Sequence, residues 1–391
     1  MRVAGIICEY NPFHNGHKKQ FDLTRAALGP DTAIVCAMSG NFVQRGEPAL
    51  FPRTLRARAA VDCGADLVLE LPLTACLSSA EGFAAGGAAL LDALGIVTHL
   101  SFGCETADGA ALWQAAECLC GPDFPAALRP LLDAGIPFAA ARQQALDGLT
   151  GLGGLLDGPN NILAVEYCKA LLRLSSRIQP LPLARAGSYT HSLDPENPAA
   201  AQVRQLLAAG SADWQALLPP QAAELFAHAP QYRAEYGQRA MLAVLRQLSE
   251  DRWAAAPHGG EGLYHRVRTA VCTQPDLAGV LSAAASGRYP TARVRRLMLC
   301  AFLGVSDLSA PLTHARVLAF NARGRELLHQ AKKAGTLPLI HAGEPAPDGS
   351  LWALEQQAAD LYALFGDDLS RCPPGSARQD RVYYQKQEET P

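Results

Sequence analysis

His14 and His17, with Gly16 beside the second, are the residues whose types and spacing best suit chemistry on a phosphate. An apolar run, residues 3–7, precedes them, then a polar turn containing Asn11-Pro12; residues 18–28 follow with apolar side chains at helical spacing. That order reads as buried strand, loop and helix. A helix N-terminus offers unbonded N–H groups and partial positive charge to an anion, and a glycine there lets the anion come close. Two imidazoles at that point can donate hydrogen bonds to a phosphoryl oxygen during displacement at an α-phosphorus, where fixed donors lower the barrier most. The competing reading is a turn whose histidines satisfy only local backbone groups. Two histidines, a glycine and a preceding strand together favour the phosphate site.

Other polar groups stand where strands should end. Residues 32–38 form a second apolar strand, followed by Ser39-Gly40-Asn41-Phe42-Val43-Gln44-Arg45-Gly46-Glu47-Pro48, a polar loop expected to line the same crevice as His14. A helix over 53–62, a strand over 65–70, an Ala-rich helix over 79–94 containing Gly82, Gly86 and Gly87, and a strand over 98–102 come next. Gly103 then lets an adenosine group approach the backbone, or simply makes a tight turn. Helices are expected over 107–119 and 125–133, the second shortened or bent by Pro130, and a Gly- and Leu-rich loop over 147–158. Pro159 opens a helix capped by Asn160 or Asn161; a pair exceeds what one cap requires, which leaves one to bond a ligand. Residues 178–183 read as a short strand, and Arg185 in the loop after it suits a phosphate or ribose. Strands alternating with helices imply an α/β fold, a Rossmann-like doubly wound parallel sheet.

Beyond residues 194–198, which read as a linker, helical periodicity dominates, so the expected division is a nucleotide-binding domain over 1–192, a mostly α-helical domain over 193–372 and a polar tail over 373–391, disordered beyond about Asp380. A chain of 391 residues is long enough for two cores, and 49% hydrophobic with 18% charged residues marks it as globular. No apolar run is long enough to span a bilayer and no leader precedes the first strand, so a cytoplasmic protein without a membrane partner is expected. The eleven cysteines, among them Cys36, Cys168 and Cys300 in apolar patterns, read as reduced thiols; the spacing of Cys118 and Cys120 does not suit zinc, and no protein-held metal is expected. With a net charge of −3, any nucleic-acid contact needs a local basic surface. Between Asp276 and Asp307 there is no acidic residue, while Arg288, Arg293, Arg295 and Arg296 fall inside that stretch, with Tyr289 available to stack on a base and Arg316, Arg323 and Arg325 extending the surface. A solvated helix face is the plainer reading of such a run.

His-x-Gly-His matches the signature of the nucleotidyltransferase superfamily, and the longer run Glu9-Tyr10-Asn11-Pro12-Phe13-His14-Asn15-Gly16-His17 resembles the bacterial tRNA(Met) cytidine acetate ligase family. The 39–49 block, Phe102-Gly103-Cys104-Glu105, the 159–167 segment, the run from Arg288-Tyr289 to Arg296, and residues 316–321 are similar to segments of the same family. The resemblance implies a nucleotidyltransferase-type fold. The implied activity is N4-acetylation of the wobble cytidine of elongator tRNA(Met) from acetate and ATP through acetyl-adenylate, with Mg2+ accompanying ATP. By resemblance, Ile7-Cys8-Glu9-Tyr10-Asn11-Pro12-Phe13-His14-Asn15-Gly16-His17-Lys18-Lys19-Gln20, Gly103, one of Asn160 and Asn161, and Arg185 bind ATP, with His14 and His17 at the phosphates. Asn41, Gln44 and Arg45 would face the reacting end, and Arg288, Arg293, Arg295 and Arg296 the tRNA; no DNA partner is implied. The chain departs from the family pattern at Cys104, Arg53, Arg58 and residues 186–192. The alternatives are a small-molecule adenylyltransferase of the pantetheine-phosphate adenylyltransferase type and a nucleotide-binding RNA adaptor without chemistry.

Overall fold

The computed structural model describes residues 1–184, 194–347 and 349–386; Arg185 and the divergent run after it lie outside these. The first strand, β1 (Val3–Cys8), is buried along its whole length, as a strand covered on both faces by helices must be. It is followed by α1 (Asn15–Leu28), β2 (Ala33–Ser39), a small hairpin of β3 (Phe42–Val43) and β4 (Glu47–Pro48), and α2 (Arg53–Asp62). Next come β5 (Leu67–Leu71), α3 (Leu73–Cys76), α4 (Ala80–Ala93) and β6 (His99–Cys104). Helices α5 (Gly109–Cys120), α6 (Asp123–Asp133), α7 (Phe138–Thr150) and α8 (Pro159–Arg173) then lead to β7 (Gln179–Ala184).

These strands pair in parallel in the order β5-β2-β1-β6-β7. The chain thus starts in the middle of the sheet, winds outward to β5, and returns to build the other side from β6. The reversal between β1 and β6 opens a crevice beyond their carboxyl ends, which is where ligands bind in doubly wound sheets. The glycines of α4 have a packing reason: a Cβ on Gly87 would lie 2.6 Å from Cδ1 of Ile7, so the helix sits directly on β1.

Two expectations for this half need correction. Pro130 does not shorten its helix, which runs from Asp123 to Asp133. The expected loop over 147–158 is instead the end of α7 and a 3-10 turn, Gly153–Leu156, whose Leu155 and Leu156 are buried in the core.

After residue 194 the chain is helical for over a hundred residues. Helices α9 (Ala200–Ala208) and α10 (Pro220–Ala227) cover the α1–α2 side of the sheet, where Phe226 stacks on Phe51 at 4.4 Å. Helices α11 (Ala234–Gln247), α12 (Glu250–Ala255), α13 (Leu263–Thr273), α14 (Leu277–Ala284) and α15 (Thr291–Leu303) build a separate core around Trp253, Leu263, Leu297 and Phe302. The chain then returns to the first sheet. β8 (Ala315–Phe320) pairs with β5 in antiparallel register, Glu70 opposite Arg316, so the sheet is mixed rather than wholly parallel. After α16 (Ala322–Ala334), β9 (Leu339–His341), α17 (Gly349–Tyr362) and α18 (Ser376–Gln379), β10 (Tyr383–Tyr384) pairs with β8. The tail beyond Asp380 therefore holds a strand where disorder was expected.

Charge explains the return. Arg316, expected on the surface, is buried between Glu70 and Glu355 at 3.7 and 2.9 Å, with its guanidinium 4.1 Å from the ring of Trp352. Arg53 completes the network, 2.6 Å from Glu70 and 2.8 Å from Asp380 of the tail. Burial alone would raise the Glu70 carboxyl, but the two arginines outweigh it and hold it below the usual range. The seam is closed by Asn321, whose side chain donates to Asp66 Oδ1 at 2.9 Å and accepts from the Gly324 amide, capping α16. At Gly324 a Cβ would collide with the carbonyl oxygen of Asp66, a backbone atom that cannot step aside.

Gly324→Ala is therefore expected to cost about 1–3 kcal/mol of stability as an overpacking change, read as a lower midpoint in urea unfolding. An unchanged midpoint would contradict the tight seam.

Candidate active site

Between β1 and α1 the chain makes a compact loop, with Tyr10 at φ 45 and a cis Asn11-Pro12 bond. His14 is the N-cap of α1. Its Nδ1 accepts from the Gly16 amide at 3.1 Å, and Nδ1 of His17 accepts from the His14 amide at 3.2 Å, a capping box built from two imidazoles. The rings stack at 3.7 Å with their planes 21° apart. An Nδ1 that accepts a backbone N–H cannot carry a proton, so the neutral ring carries it on Nε2. Backbone capping and presentation of Nε2–H are thus one arrangement. Gly16 serves it sterically, since a Cβ there would lie 3.0 Å from Cε1 of His14.

His14 and His17 line a cleft of about 500 Å³ at the carboxyl ends of β1 and β6, a volume in the range that accommodates small-molecule ligands. Of the segment expected at the nucleotide, Ile7, Cys8, Glu9, Tyr10, Asn11, Gly16, Lys19 and Gln20 also line it. Pro12 and Phe13 are buried, Asn15 donates to the carbonyls of Pro195 and Ala216, and Lys18 pairs with Asp22 at 2.9 Å on the outer side of α1. Those four stand behind the cleft wall. Phe13 does contribute indirectly, since its ring and that of Tyr10 flank His17 at 5.5 and 4.8 Å.

The structure separates the asparagine pair. Asn160 lines the cleft, as does Gly103. Asn161 is buried, and its Oδ1 accepts from the amides of Glu105 and Thr106, both at 3.0 Å. Glu105 returns the bond, accepting from the Asn161 amide at 2.6 Å and the Asn160 side chain at 2.8 Å, so its carboxylate caps α8. Among the residues expected at the reacting end, Gln44 and Arg45 are on the wall, whereas Asn41 is set back: its Oδ1 accepts from the Arg53 amide at 3.0 Å beside Glu70.

Two arginines that sequence reasoning passed over shape this wall. Arg56, wholly buried, donates to the carbonyls of Glu9, Ser39, Gly40 and Phe51, which ties the loops after β1 and β2 together. Burial lowers its pKa from the ordinary arginine value. Arg204 of α9 donates to the Asn11 carbonyl at 2.7 Å and lines the cleft. A helix laid against the loop after β1 from a distant segment has no local sequence signal.

The arginine-rich helix α15 abuts the same wall. Arg295 pairs with Glu47 of β4, and Arg296 donates to the Gln44 carbonyl at 3.2 Å. Arg293 is held by Glu261 at 3.1 Å, while Arg288 is 68% exposed. Tyr289 is buried, its hydroxyl donating to the Glu261 carbonyl at 2.5 Å, and is therefore not available to stack on a base.

Comparison with known proteins places this geometry. The family described as HIGH Nucleotidyl Transferase matches residues 1–372. The tRNA(Met) cytidine acetate ligase of Acetivibrio thermocellus is 32% identical over 93% of this chain and 95% of its own length. The chain belongs to the tRNA(Met) cytidine acetate ligase family. The Syntrophotalea carbinolica member is 36% identical over 87% of this chain and 84% of its own. The crystal structure of Thermotoga maritima TmcAL bound with alpha-thio ATP superposes with a TM-score of 0.90 at 27% identity, covering 99% of this chain and 100% of that one. The family fold is thus a nucleotidyltransferase sheet extended by a helical segment.

Asn161→Ala would leave the Glu105 and Thr106 amides unpaired and should cost about 1–3 kcal/mol in chemical denaturation, whereas Asn160→Ala should cost less. Equal losses would contradict the division of labour between the two.

Proposed function

We propose that this protein is an ATP-dependent tRNA(Met) cytidine acetate ligase, which activates acetate as acetyl-adenylate and passes the acetyl group to N4 of the wobble cytidine of elongator tRNA(Met). The observation that carries the proposal is the pair of stacked imidazoles, locked as Nε2 donors at a helix N-terminus in the crevice between β1 and β6. Acetate is a poor acyl donor until one of its oxygens becomes part of a good leaving group. Attack of its carboxylate on the α-phosphorus of ATP forms the acyl-phosphate bond and expels pyrophosphate. Charge builds on the phosphoryl oxygens in that step, and fixed donors already aimed there need no reorganisation.

In this reading His14 and His17 meet the phosphates, helped by the helix dipole of α1 and by Lys19. Gly103 and Asn160 accommodate the adenosine across the crevice, and Arg185 is assigned to the same nucleotide by resemblance alone. Gln44, Arg45 and Arg204 surround the reacting end. Magnesium would enter as the companion of the triphosphate. The tRNA would lie along the α15 side, where Arg288 and Arg295 are the most exposed of the four arginines and Arg293 and Arg296 brace the helix against its neighbours. Such a substrate places the protein in the cytoplasm.

Incubation with ATP, labelled acetate and bulk tRNA should put label into tRNA, and His17→Ala should lower the rate by about 10²–10³-fold, as removal of one transition-state donor does. No label in tRNA, or an unaltered mutant, would contradict the assignment. Arg288→Ala should weaken tRNA binding and reduce its salt dependence; an unaltered slope would remove that face from the tRNA path.

A further inference from the structure

Acyl transfer to an exocyclic amine needs a proton acceptor. The amine of cytosine shares its lone pair with the ring, and once it attacks a carbonyl it holds a proton that must leave as the leaving group departs. The groups around the cleft differ sharply in their ability to take it. His14 and His17 spend Nδ1 on backbone N–H groups, so in their neutral forms they are donors and not bases. Burial pushes the Cys8 thiol and the Tyr10 hydroxyl well up, keeping both protonated. Lys19, Arg45 and Arg204 are cationic.

Two carboxylates line the cleft among the described residues, Glu9 and Glu47. Glu47 is committed to an ion pair with Arg295 of α15. Glu9 sits one residue beyond β1, and one of its oxygens accepts from the Gln44 amide at 2.7 Å. Around it are Arg45 from the β3–β4 turn, Arg56 from α2 and Arg204 from α9. Burial raises its pKa from the usual carboxylate value, toward the range in which a general base works, and the Gln44 N–H and the three arginines moderate the rise. The Gln44 bond and the Arg56 bond to its own carbonyl fix the residue at the end of the strand.

We propose that Glu9 is the general base of the acetyl-transfer step, accepting the proton from the attacking amine of the acceptor base. The inference rests on the function proposed above. The N4–carbon bond forms, the bond between the acetyl carbon and the phosphate oxygen of AMP breaks with its electron pair leaving on AMP, and one N4 proton passes to the Glu9 carboxylate and then to water. The adenylation step needs no such acceptor, since acetate attacks as its anion. The two half-reactions should therefore respond differently to loss of this carboxylate.

Glu9→Gln keeps the shape and can still accept the Gln44 N–H through its amide oxygen. In single-turnover experiments on the full-length protein with labelled acetate, ATP and an elongator tRNA(Met) transcript, acetyl-adenylate and acetylated tRNA are followed together. The variant should transfer acetyl at least about 10²-fold more slowly, with the ratio of acetyl-adenylate to acetylated tRNA rising to match. The rise of the transfer rate with pH, as Glu9 loses its proton, should vanish in Glu9→Gln and return in Glu9→Asp. Transfer within threefold of the wild type, an unchanged pH profile, or a folded variant that forms no acetyl-adenylate would each overturn the proposal. A wild-type protein that forms acetyl-adenylate but never acetylates tRNA would overturn the function itself, an outcome distinguishable from failure of the Glu9 role alone.

Discussion

The site depends on one reciprocal contact: each of two imidazoles takes a backbone N–H at the first turn of α1, and each is thereby committed to showing Nε2–H. Side-chain capping of a helix is worth about 0.5–2 kcal/mol in ordinary cases. Here the same bonds also set a tautomer, a ring orientation and a stacking distance. Gly16, the aromatic rings of Tyr10 and Phe13, and the start of the helix all follow from the need to hold those rings. An Asp cap would close the helix as well, but its carboxylate only accepts and would leave nothing to donate to a phosphate.

The rest of the molecule fixes the crevice in which that pair stands. Arg56 gathers four carbonyls from the loops that follow β1 and β2, so every hydrogen bond its guanidinium makes among the described residues goes to a peptide carbonyl. One layer further back, Arg53, Glu70, Arg316, Glu355 and Asp380 join the N-terminal sheet to segments that arrive more than two hundred residues later. Buried charges of this kind add little net stability, because desolvation offsets their attraction, but removal of one partner is costly. Their consequence is positional: β8 cannot slip against β5 without stranding Arg316. The helical segment between these anchors is thus held at both ends against the N-terminal sheet, and α15 touches the loop carrying Gln44 and Arg45.

What could be read from the sequence follows from how local each signal is. β1 and β2 are almost continuously apolar, and the limits of the five parallel strands come within two residues of the expected ones; residues 32–38, for instance, become Ala33–Ser39. The strand–loop–helix order around His14 and His17 was equally legible, because the motif is contiguous. β8 was not, since its arginine reads as surface until Glu70 and Glu355 are brought against it. Tyr289 and Asn41 were placed at surfaces for the same reason: their partners, Glu261 and Arg53, are set by tertiary packing. The choice between Asn160 and Asn161 turned on Glu105, which reaches across from the end of β6. Helix α7 was partly hidden by Gly148 and Gly151, which read as loop although the first lies inside the helix and the second ends it with φ 72.

The most direct test is nitrogen-15 NMR of the histidine side chains in the folded, nucleotide-free protein. Both His14 and His17 should show an unprotonated Nδ1 and a protonated Nε2 at a pH where they are neutral, and ATP should shift both Nε2–H signals. A proton on Nδ1 of either ring, or Nε2 signals indifferent to ATP, would contradict the interaction on which the site is built.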